Sequence, residues 1–595
     1  MVLSTLDWSF IIAFFILSLL IGVMVSRKSG NSSSDFFLSG RDMPWWLLGV
    51  SMVATTFSAD TPNLVTDIVR KDGVSGNWVW WAFLITGMLT VFVYAKLWRR
   101  SGVLTDLEFY EMRYSGKEAA FLRGFRAIYL GVVFNVLIMA TVCLAAIKIG
   151  GVMMGISPIQ TLLIASVVTV AYSAIGGLKG IILTDFFQFV IAMIGTIWAA
   201  YVIVNLPEIG GLANLVSHEN VVDKLDFLPD FNNTEAMVSL LIIPLAVQWW
   251  AAYYPGAEPG GGGYIVQRML AAKDEKNAVT ATLFFNIAHY ALRPWPWIII
   301  ALCSLVIFPD IASIKAAFPN VDPSIVNDDL AYSAMLTYLP KGLIGLVIAS
   351  LIAAFMSTLS THLNWGSSYI VNDFYKRFVD PSVSEKKMVL IGRLSTILLM
   401  VIAATLALFL NNAKEAFGLI VLMGAGTGLL FILRWFWWRI NAYSEIAAMV
   451  ISLLVAITFK FILPKGTLDG HIELILSVII TTIGWVGVTL MTKPVDNRTL
   501  VDFYKLIKPH SYGWKPIVEH GIKEGAITTD DVTVGKLPTE LTAMFASIFM
   551  VYSLLFTTGY YLYGNWKMTG IGIVLSAICA FILRKAWQRI QVMEN

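Results

Sequence analysis

Apolar runs about as long as a bilayer is thick recur along the chain, separated by short polar connectors. A membrane-spanning helix needs about 20 mostly apolar residues, and on that criterion about fifteen segments qualify. They lie at roughly 6–25, 44–69, 78–98, 122–150, 156–175, 181–205, 236–270, 277–308, 341–374, 387–411, 414–438, 442–463, 471–491, 540–563 and 567–585. The pattern predicts an all-α polytopic membrane protein. The first run differs from a secretory leader, because no Lys or Arg precedes it and Arg27 and Lys28 follow it. A retained helix with its N-terminus outside is expected.

Two of the segments are interrupted. In the second, Ser51-Met52-Val53-Ala54 runs into Thr55-Thr56-Phe57-Ser58-Ala59-Asp60-Thr61-Pro62. Pro62 supplies no backbone donor and disfavours helical geometry at Thr61. Either the helix breaks near residues 54–62, leaving carbonyls to coordinate a cation, or it kinks with its hydroxyls bonded back to the helix. In the seventh, Gln248-Trp249-Trp250-Ala251-Ala252-Tyr253-Tyr254-Pro255-Gly256-Ala257-Glu258-Pro259 leads into Gly260 to Gly263. Two half-helices with an unwound middle are expected there. Reading them as two separate spans would reverse the charge pattern downstream. Paired discontinuous helices point to the central site of a transporter.

The ninth segment carries a stripe. At helical spacing Ser357, Thr358, Ser360, Thr361, Asn364 and Ser368 share one face. Such a face either lines something wet or ionic, or bonds neighbouring helices together. Asp185, near the start of the sixth segment, is either an interfacial helix cap or an intramembrane ion ligand. Arg293, within Arg293-Pro294-Trp295-Pro296-Trp297, is a rare intramembrane cation whose partner, a carboxylate or an anionic solute, the sequence does not name.

Composition excludes a soluble multidomain enzyme: 57% of the 595 residues are hydrophobic and 14% charged, with a mean hydropathy of +0.74. The net charge of +3 leaves no broad cationic face for nucleic acid. Three scattered cysteines imply no disulfide framework. Cytoplasmic loops should hold the excess of Lys and Arg. With the N-terminus outside, the cytoplasmic segments receive Arg99, Arg100, Arg113, Lys117, Arg123, Arg126, Lys179, Arg268, Lys273, Lys276, Lys376, Arg377, Arg434, Arg439, Arg584 and Lys585, whereas 206–235 and 309–340 are acidic. An odd number of spans and a cytoplasmic C-terminus follow. The 492–539 stretch is expected to be a cytoplasmic loop without chemistry of its own.

In order along residues 1–460, four motifs resemble the sodium:solute symporter family, which includes sodium/galactose and sodium/sialic acid symporters. They are Ser51 to Asp60; Gly176-Gly177-Leu178 with Thr184, Asp185 and Gln188; Gln267-Arg268-Met269-Leu270-Ala271-Ala272-Lys273; and Ala353-Ala354-Phe355-Met356-Ser357-Thr358 with Asn364 and Asp373-Phe374-Tyr375-Lys376. The resemblance implies a leucine-transporter-like fold, five helices repeated in inverted orientation. The expected division is an extra helix and loop at 1–43, a first repeat at 44–205, an extracellular loop at 206–235, a second repeat at 236–440, additional helices at 441–491, the loop at 492–539 and C-terminal helices at 540–595.

The resemblance also implies a sodium ion on the carbonyls of Ala54, Phe57 and Ala354 and the hydroxyls of Ser357 and Thr358. A hard cation does favour several oxygen ligands of this kind. A second sodium on Asp185, Ser357, Ser360 and Thr361 occurs in some members. Solute-binding positions correspond to Thr56, Asp60, Thr61 and Trp80, with Gln248 and Trp249 from the second interruption, where the glycine tract lengthens the family pattern. Aromatic residues around them, Trp78, Trp81, Trp250, Tyr253 and Tyr254, suit the apolar face of a sugar or a quaternary ammonium.

The expected function is sodium-coupled import of a small polar organic solute across the cell membrane, a sugar or sugar derivative being favoured, by alternating access. Amino acids, betaines and carboxylates remain alternatives. So does a proton-coupled carrier with Asp60, Asp185 or His362 titrating, and a nontransporting sensor. An enzyme is not expected, since the six histidines are scattered and no acid/base or metal constellation gathers at one membrane face. Nothing in the sequence sets an oligomeric state.

Overall fold

The computed structural model describes residues 3–29, 32–254, 256–410, 413–464, 466–532 and 537–594. Pro255 of the second interruption and residues 533–536 of the 492–539 stretch lie outside the described residues. Among those described there is no strand, only two isolated main-chain bridges.

The chain enters through α1 (Thr5–Ser29) and continues as α2 (Trp45–Thr56), α3 (Asp60–Asp72), α4 (Val74–Ser101), α5 (Gly116–Met154) and α6 (Pro158–Val204). The next group is α7 (Thr234–Ala251), α8 (Gly263–Ala271), α9 (Glu275–Ile307), α10 (Leu343–Val379) and α11 (Glu385–Ala407). Then come α12 (Ala413–Gly424), α13 (Gly428–Leu433), α14 (Ala442–Lys460), α15 (Gly470–Met491), α16 (Leu537–Leu562) and α17 (Trp566–Ile590). Among the described residues, 11 helices are long and apolar enough to cross a membrane, and Thr5–Ile21, Trp45–Thr56 and Pro158–Ala171 are shorter apolar ones. Each of the fifteen predicted segments falls on one of these helices or on a pair of half-helices. The fifth and sixth form one helix bent at Gly177, whose φ of 56° and ψ of −166° leave the helical region.

Local chemistry explains the ends. Pro158 occupies the first turn of α6, where no donor is needed, and Ser157 and Gln160 close a reciprocal capping box ahead of it. The start of α10 is capped from another helix: Asp7 Oδ1 accepts from the backbone nitrogens of Gly342 at 2.7 Å and Gly345 at 2.9 Å, which ties α1 to α10. α10 runs along both α6 and α11.

Both expected interruptions are present. α2 stops at Phe57 (φ −85°, ψ 72°) and α3 begins at Asp60. Pro62 cannot donate to Ser58 O, so Thr61 N takes that carbonyl at 3.2 Å instead. The kink reading therefore gives way to a true break. The second runs from Ala252 through Gly262, between α7 and α8.

A third interruption was not anticipated. The predicted segment 414–438 is not one helix; it breaks at Ala425–Thr427, with Gly426 at φ 81°. Its main chain pairs with the second break: Tyr253 N donates to Gly424 O at 3.1 Å and Gly426 N to Ala251 O at 2.9 Å. Irregular backbone at membrane depth needs such partners, because hydrocarbon offers none. Small residues make the approach feasible, since a Cβ at Gly428 would lie 2.2 Å from Trp250 O and one at Gly424 2.3 Å from Tyr253 O. Gly428→Ala is expected to cost about 1–3 kcal/mol through overpacking. A lowered thermal unfolding midpoint in detergent would show it, and an unaltered midpoint would refute the close-contact account.

Candidate functional site

The first break faces the polar stripe of α10. Thr358 Oγ1 donates to Thr55 O at 2.7 Å and lies 3.1 Å from Ala354 O, so one hydroxyl joins the broken segment to the intact helix. Thr55 and Thr361 hydroxyls meet at 2.9 Å. Ala54, Phe57, Ala354, Ser357 and Thr358 are all buried here. The arrangement gathers carbonyl and hydroxyl oxygens of the kind a hard monovalent cation requires.

Beside it stands a charged cluster. Asp185, fully buried well inside α6 and not at a helix end, accepts from Ser51 Oγ at 2.5 Å and Ser357 Oγ at 2.6 Å. The cap reading of Asp185 is thereby corrected. Arg268 lies 3.8 Å from the same carboxylate and donates to Thr361 Oγ1 at 2.6 Å and Ser51 Oγ at 3.2 Å. Ser360 Oγ donates to Ser357 O at 3.0 Å within its own helix. Asp185, Ser357 and Thr361 are thus brought together, but around a guanidinium. Gln267 fastens α8 to α10 by donating to Asn364 Oδ1 at 2.9 Å.

Adjoining these groups is a cavity of about 110 Å³. Of the residues expected to bind solute, Thr56, Asp60, Thr61 and Trp80 line it, and so does Thr358. Gln248 and Trp249 are not among its lining residues: Gln248 Nε2 donates to Val79 O at 2.6 Å, and the Trp249 indole donates to Leu245 O in its own helix at 2.9 Å. Trp250 is likewise bonded to its own helix, and Trp78 donates to Phe227 O at 2.8 Å. Tyr254 does line the cavity.

The sequence reading did not place His289, Tyr264, Tyr290 and Thr141, which also line it. His289 and Arg293 are four residues apart on α9, a spacing that puts both on one face and could have been read as a pair. Arg293 NH2 donates to His289 Nε2 at 2.9 Å, so the ring proton sits on Nδ1 and is donated to Thr56 Oγ1 at 2.9 Å. Arg293 NH1 reaches the same hydroxyl at 3.3 Å. Thr56 in turn donates to its own helix, toward Val53 O at 3.0 Å and Met52 O at 3.1 Å. These three side chains form one directed network, with Arg293 donating to His289 Nε2 and Thr56 Oγ1 and His289 donating to Thr56 Oγ1.

Arg293 is 1% exposed and, among the described residues, forms no ion pair; its neighbours are Thr56, His289 and the Trp297 ring, 5.3 Å below its guanidinium carbon. Asp60 sits at the first turn of α3 with Oδ1 buried and unpartnered. Trp80 stacks on Tyr290 at 5.8 Å and 22°, forming an aromatic wall. The Phe57 ring packs edge-on against Trp297 at 4.9 Å. A contact path therefore runs from the break through Trp297 to Arg293.

Comparison with known proteins agrees with this architecture. Residues 36–452 match the profile of the sodium:solute symporter family. A sodium/glucose cotransporter of Vibrio parahaemolyticus is 28% identical over 460 residues, covering 74% of this chain and 82% of that protein. A sodium/sialic acid symporter of Proteus mirabilis is 24% identical over 479 residues, covering 77% and 90%. The solved structure of a Na+-coupled sialic acid symporter superimposes with a TM-score of 0.67 at 21% identity, covering 83% of this chain and 99% of that one. The fold is leucine-transporter-like.

Proposed function

Because this chain belongs to the sodium:solute symporter family, we propose that it imports a sugar or sugar derivative through the central cavity, with sodium held between the first break and α10. It is a multi-pass membrane protein, a sodium-coupled symporter of a small solute and not an enzyme. The observation that carries the finer reading is the Thr358 hydroxyl, bonded at 2.7 Å to Thr55 O while lining the solute cavity.

Sodium there would take the carbonyls of Ala54, Phe57 and Ala354 and the hydroxyls of Ser357 and Thr358. Bound, it would hold the broken segment against α10 and so shape the wall from which Thr56, Asp60 and Thr61 face the solute. Ion and solute then favour one conformation, which is all that coupling requires. Each sodium moving inward adds about 2.3 kcal/mol per 100 mV. A second sodium at Asp185, Ser360 and Thr361 would share Asp185 with Arg268. The N-terminus is placed outside and the C-terminus in the cytoplasm, in keeping with the loop charges.

Trp80 and Tyr290 offer a ring face to the apolar side of a pyranose, and Thr56, Asp60, Thr61 and His289 offer hydrogen bonds to its hydroxyls. Arg293, buried with neutral partners, favours within that class solutes bearing a carboxylate, because a guanidinium binds that group bidentately. Uptake of labelled hexoses, polyols and sugar acids into proteoliposomes, with and without a sodium gradient at clamped pH, tests the proposal. Sodium-dependent uptake of one of them is expected, and sodium-independent uptake throughout would refute it. Trp80→Ala is expected to raise KM for the transported solute about tenfold, the ring contact being worth about 1 kcal/mol or more.

A further inference from the structure

The second break holds a buried acid that the transport scheme above leaves without a role. Glu258 lies in the unwound stretch between α7 and α8, 2% exposed, with Oε1 unpartnered. It forms no ion pair among the described residues. A carboxylate taken out of water without a countercharge is costly, so such a group holds a cation or a proton.

The surroundings distinguish the two. Glu258 lines a small cavity of about 10 Å³, room for one water-sized species, together with Thr90 of α4 and Thr282 and Asn286 of α9. Asn286 is 1% exposed; its Nδ2 donates to Thr282 O at 2.9 Å, which fixes the amide orientation and leaves Oδ1 unpartnered. The hydroxyl protons of Thr90 and Thr282 are both committed to their own helices, toward Thr86 O at 3.0 Å and Ala278 O at 2.8 Å. What these side chains offer the cavity is therefore oxygen lone pairs. Gly256 and Ala257 also line it, and their carbonyls accept no backbone hydrogen bond among the described residues. One carboxylate, one amide oxygen, two hydroxyls and unwound carbonyls give this pocket hard oxygen ligands; the carboxylate also accepts from the backbone nitrogens of Gly256 and Glu258, neither of which carries a countercharge.

Glycine is what lets the chain wrap this acid. Gly260, Gly261 and Gly263 adopt φ of 77°, 77° and 57°, and a Cβ on Gly263 would come within 2.7 Å of Glu258 Oε1. On the far side of Gly263, Asp106 Oδ2 accepts its backbone nitrogen at 3.0 Å. That second carboxylate adds negative potential without supplying a countercharge.

The geometry points to an alkali-cation site at the second break, in which Glu258, Asn286, Thr90 and Thr282 bind a sodium ion separate from the one at Thr358. The sodium-coupled reading supplies only the identity of the ion. A cation here would tie the unwound segment to α4 and α9, as the other ion ties the first break to α10. Each discontinuous helix would then have its own ion.

The test is equilibrium binding of radioactive sodium to the purified full-length protein, with no solute present. Glu258→Gln is expected to bind one sodium ion fewer per chain. Thr282→Val, which keeps the side-chain shape, is expected to raise half-saturation of one class of sites tenfold or more, so the inference stands even if the first variant folds poorly. Thr358→Val should remove a different ion. If both Glu258→Gln and Thr282→Val bind the full sodium complement with unaltered affinity, the site holds a water and the inference fails. It fails equally if Glu258→Gln leaves sodium binding intact and alters only its pH dependence, which would identify a proton. Loss of an ion in Thr358→Val alone would overturn this inference while leaving the proposed function standing.

Discussion

Thr358→Val should raise the sodium concentration for half-maximal uptake at least tenfold while leaving the protein folded and in the membrane. Valine preserves the branched shape, so α10 keeps its packing. What is lost is an oxygen that bonds Thr55 O at 2.7 Å and stands among the proposed ion ligands. A buried hydrogen-bonded group of this kind is worth about 1–3 kcal/mol, and each 1.4 kcal/mol is a factor of about ten in affinity. The broken segment would be loosened at the same stroke, so solute affinity should fall with it at low sodium and recover as sodium is raised. Thr405→Val serves as control, since that hydroxyl bonds its own helix at an exposed position. Unaltered sodium dependence of uptake in Thr358→Val would dismiss the ion site.

Arg293→Gln should lower uptake about a hundredfold, chiefly through KM. Arg293 fixes the His289 tautomer and, with His289, converges on Thr56 Oγ1. Removing it frees His289 to take the other tautomer and takes the charged hydrogen bonds to His289 Nε2 and Thr56 Oγ1 out of the cavity wall. Charged hydrogen bonds are worth about 1.5–3 kcal/mol each, enough for the predicted loss. Arg293→Lys should not restore activity, because an ammonium cannot reproduce the planar fork that spans His289 and Thr56. Normal uptake in either variant would remove Arg293 from the solute site. Uptake of a neutral sugar surviving in Arg293→Gln while a sugar acid is lost would identify the guanidinium as a carboxylate anchor.

The sequence revealed most of what local chemistry controls. Pro62 and the run Pro259 to Gly263 announce interruptions, because a missing donor and an unrestrained backbone act on their own neighbourhood. The stripe from Ser357 to Ser368 is polar on one face by spacing alone, but spacing does not tell a cavity lining from bonds to neighbouring helices: Thr358 lines the cavity, whereas Ser357, Thr361 and Asn364 bond to α6, α2 and α8. Asp185 was visible as an anomaly, yet the guanidinium of Arg268 beside it was not, since that contact joins α6 to α8 across the fold. His289 and Arg293 carry no local sign of Thr56, which reaches them from α2. Trp249 and Gln248 looked like cavity residues by proximity to the break, but the rotation of α7 turns the indole onto its own helix and the amide onto α4. The interruption at Ala425–Thr427 was written in Gly424, Gly426 and Gly428, and the apolar residues on both sides masked it.

The amide pairs between residues 251–253 and 424–426 also constrain how the molecule can move. They could not part during a transport cycle without leaving main-chain groups bare in hydrocarbon, each at a cost of several kcal/mol. Whatever surface slides between outward and inward states must therefore pass around this junction. The C-terminal end of α7 and the α12–α13 joint are expected to move together, and the positive-φ glycines at 260, 261 and 263 can supply slack between them and α8.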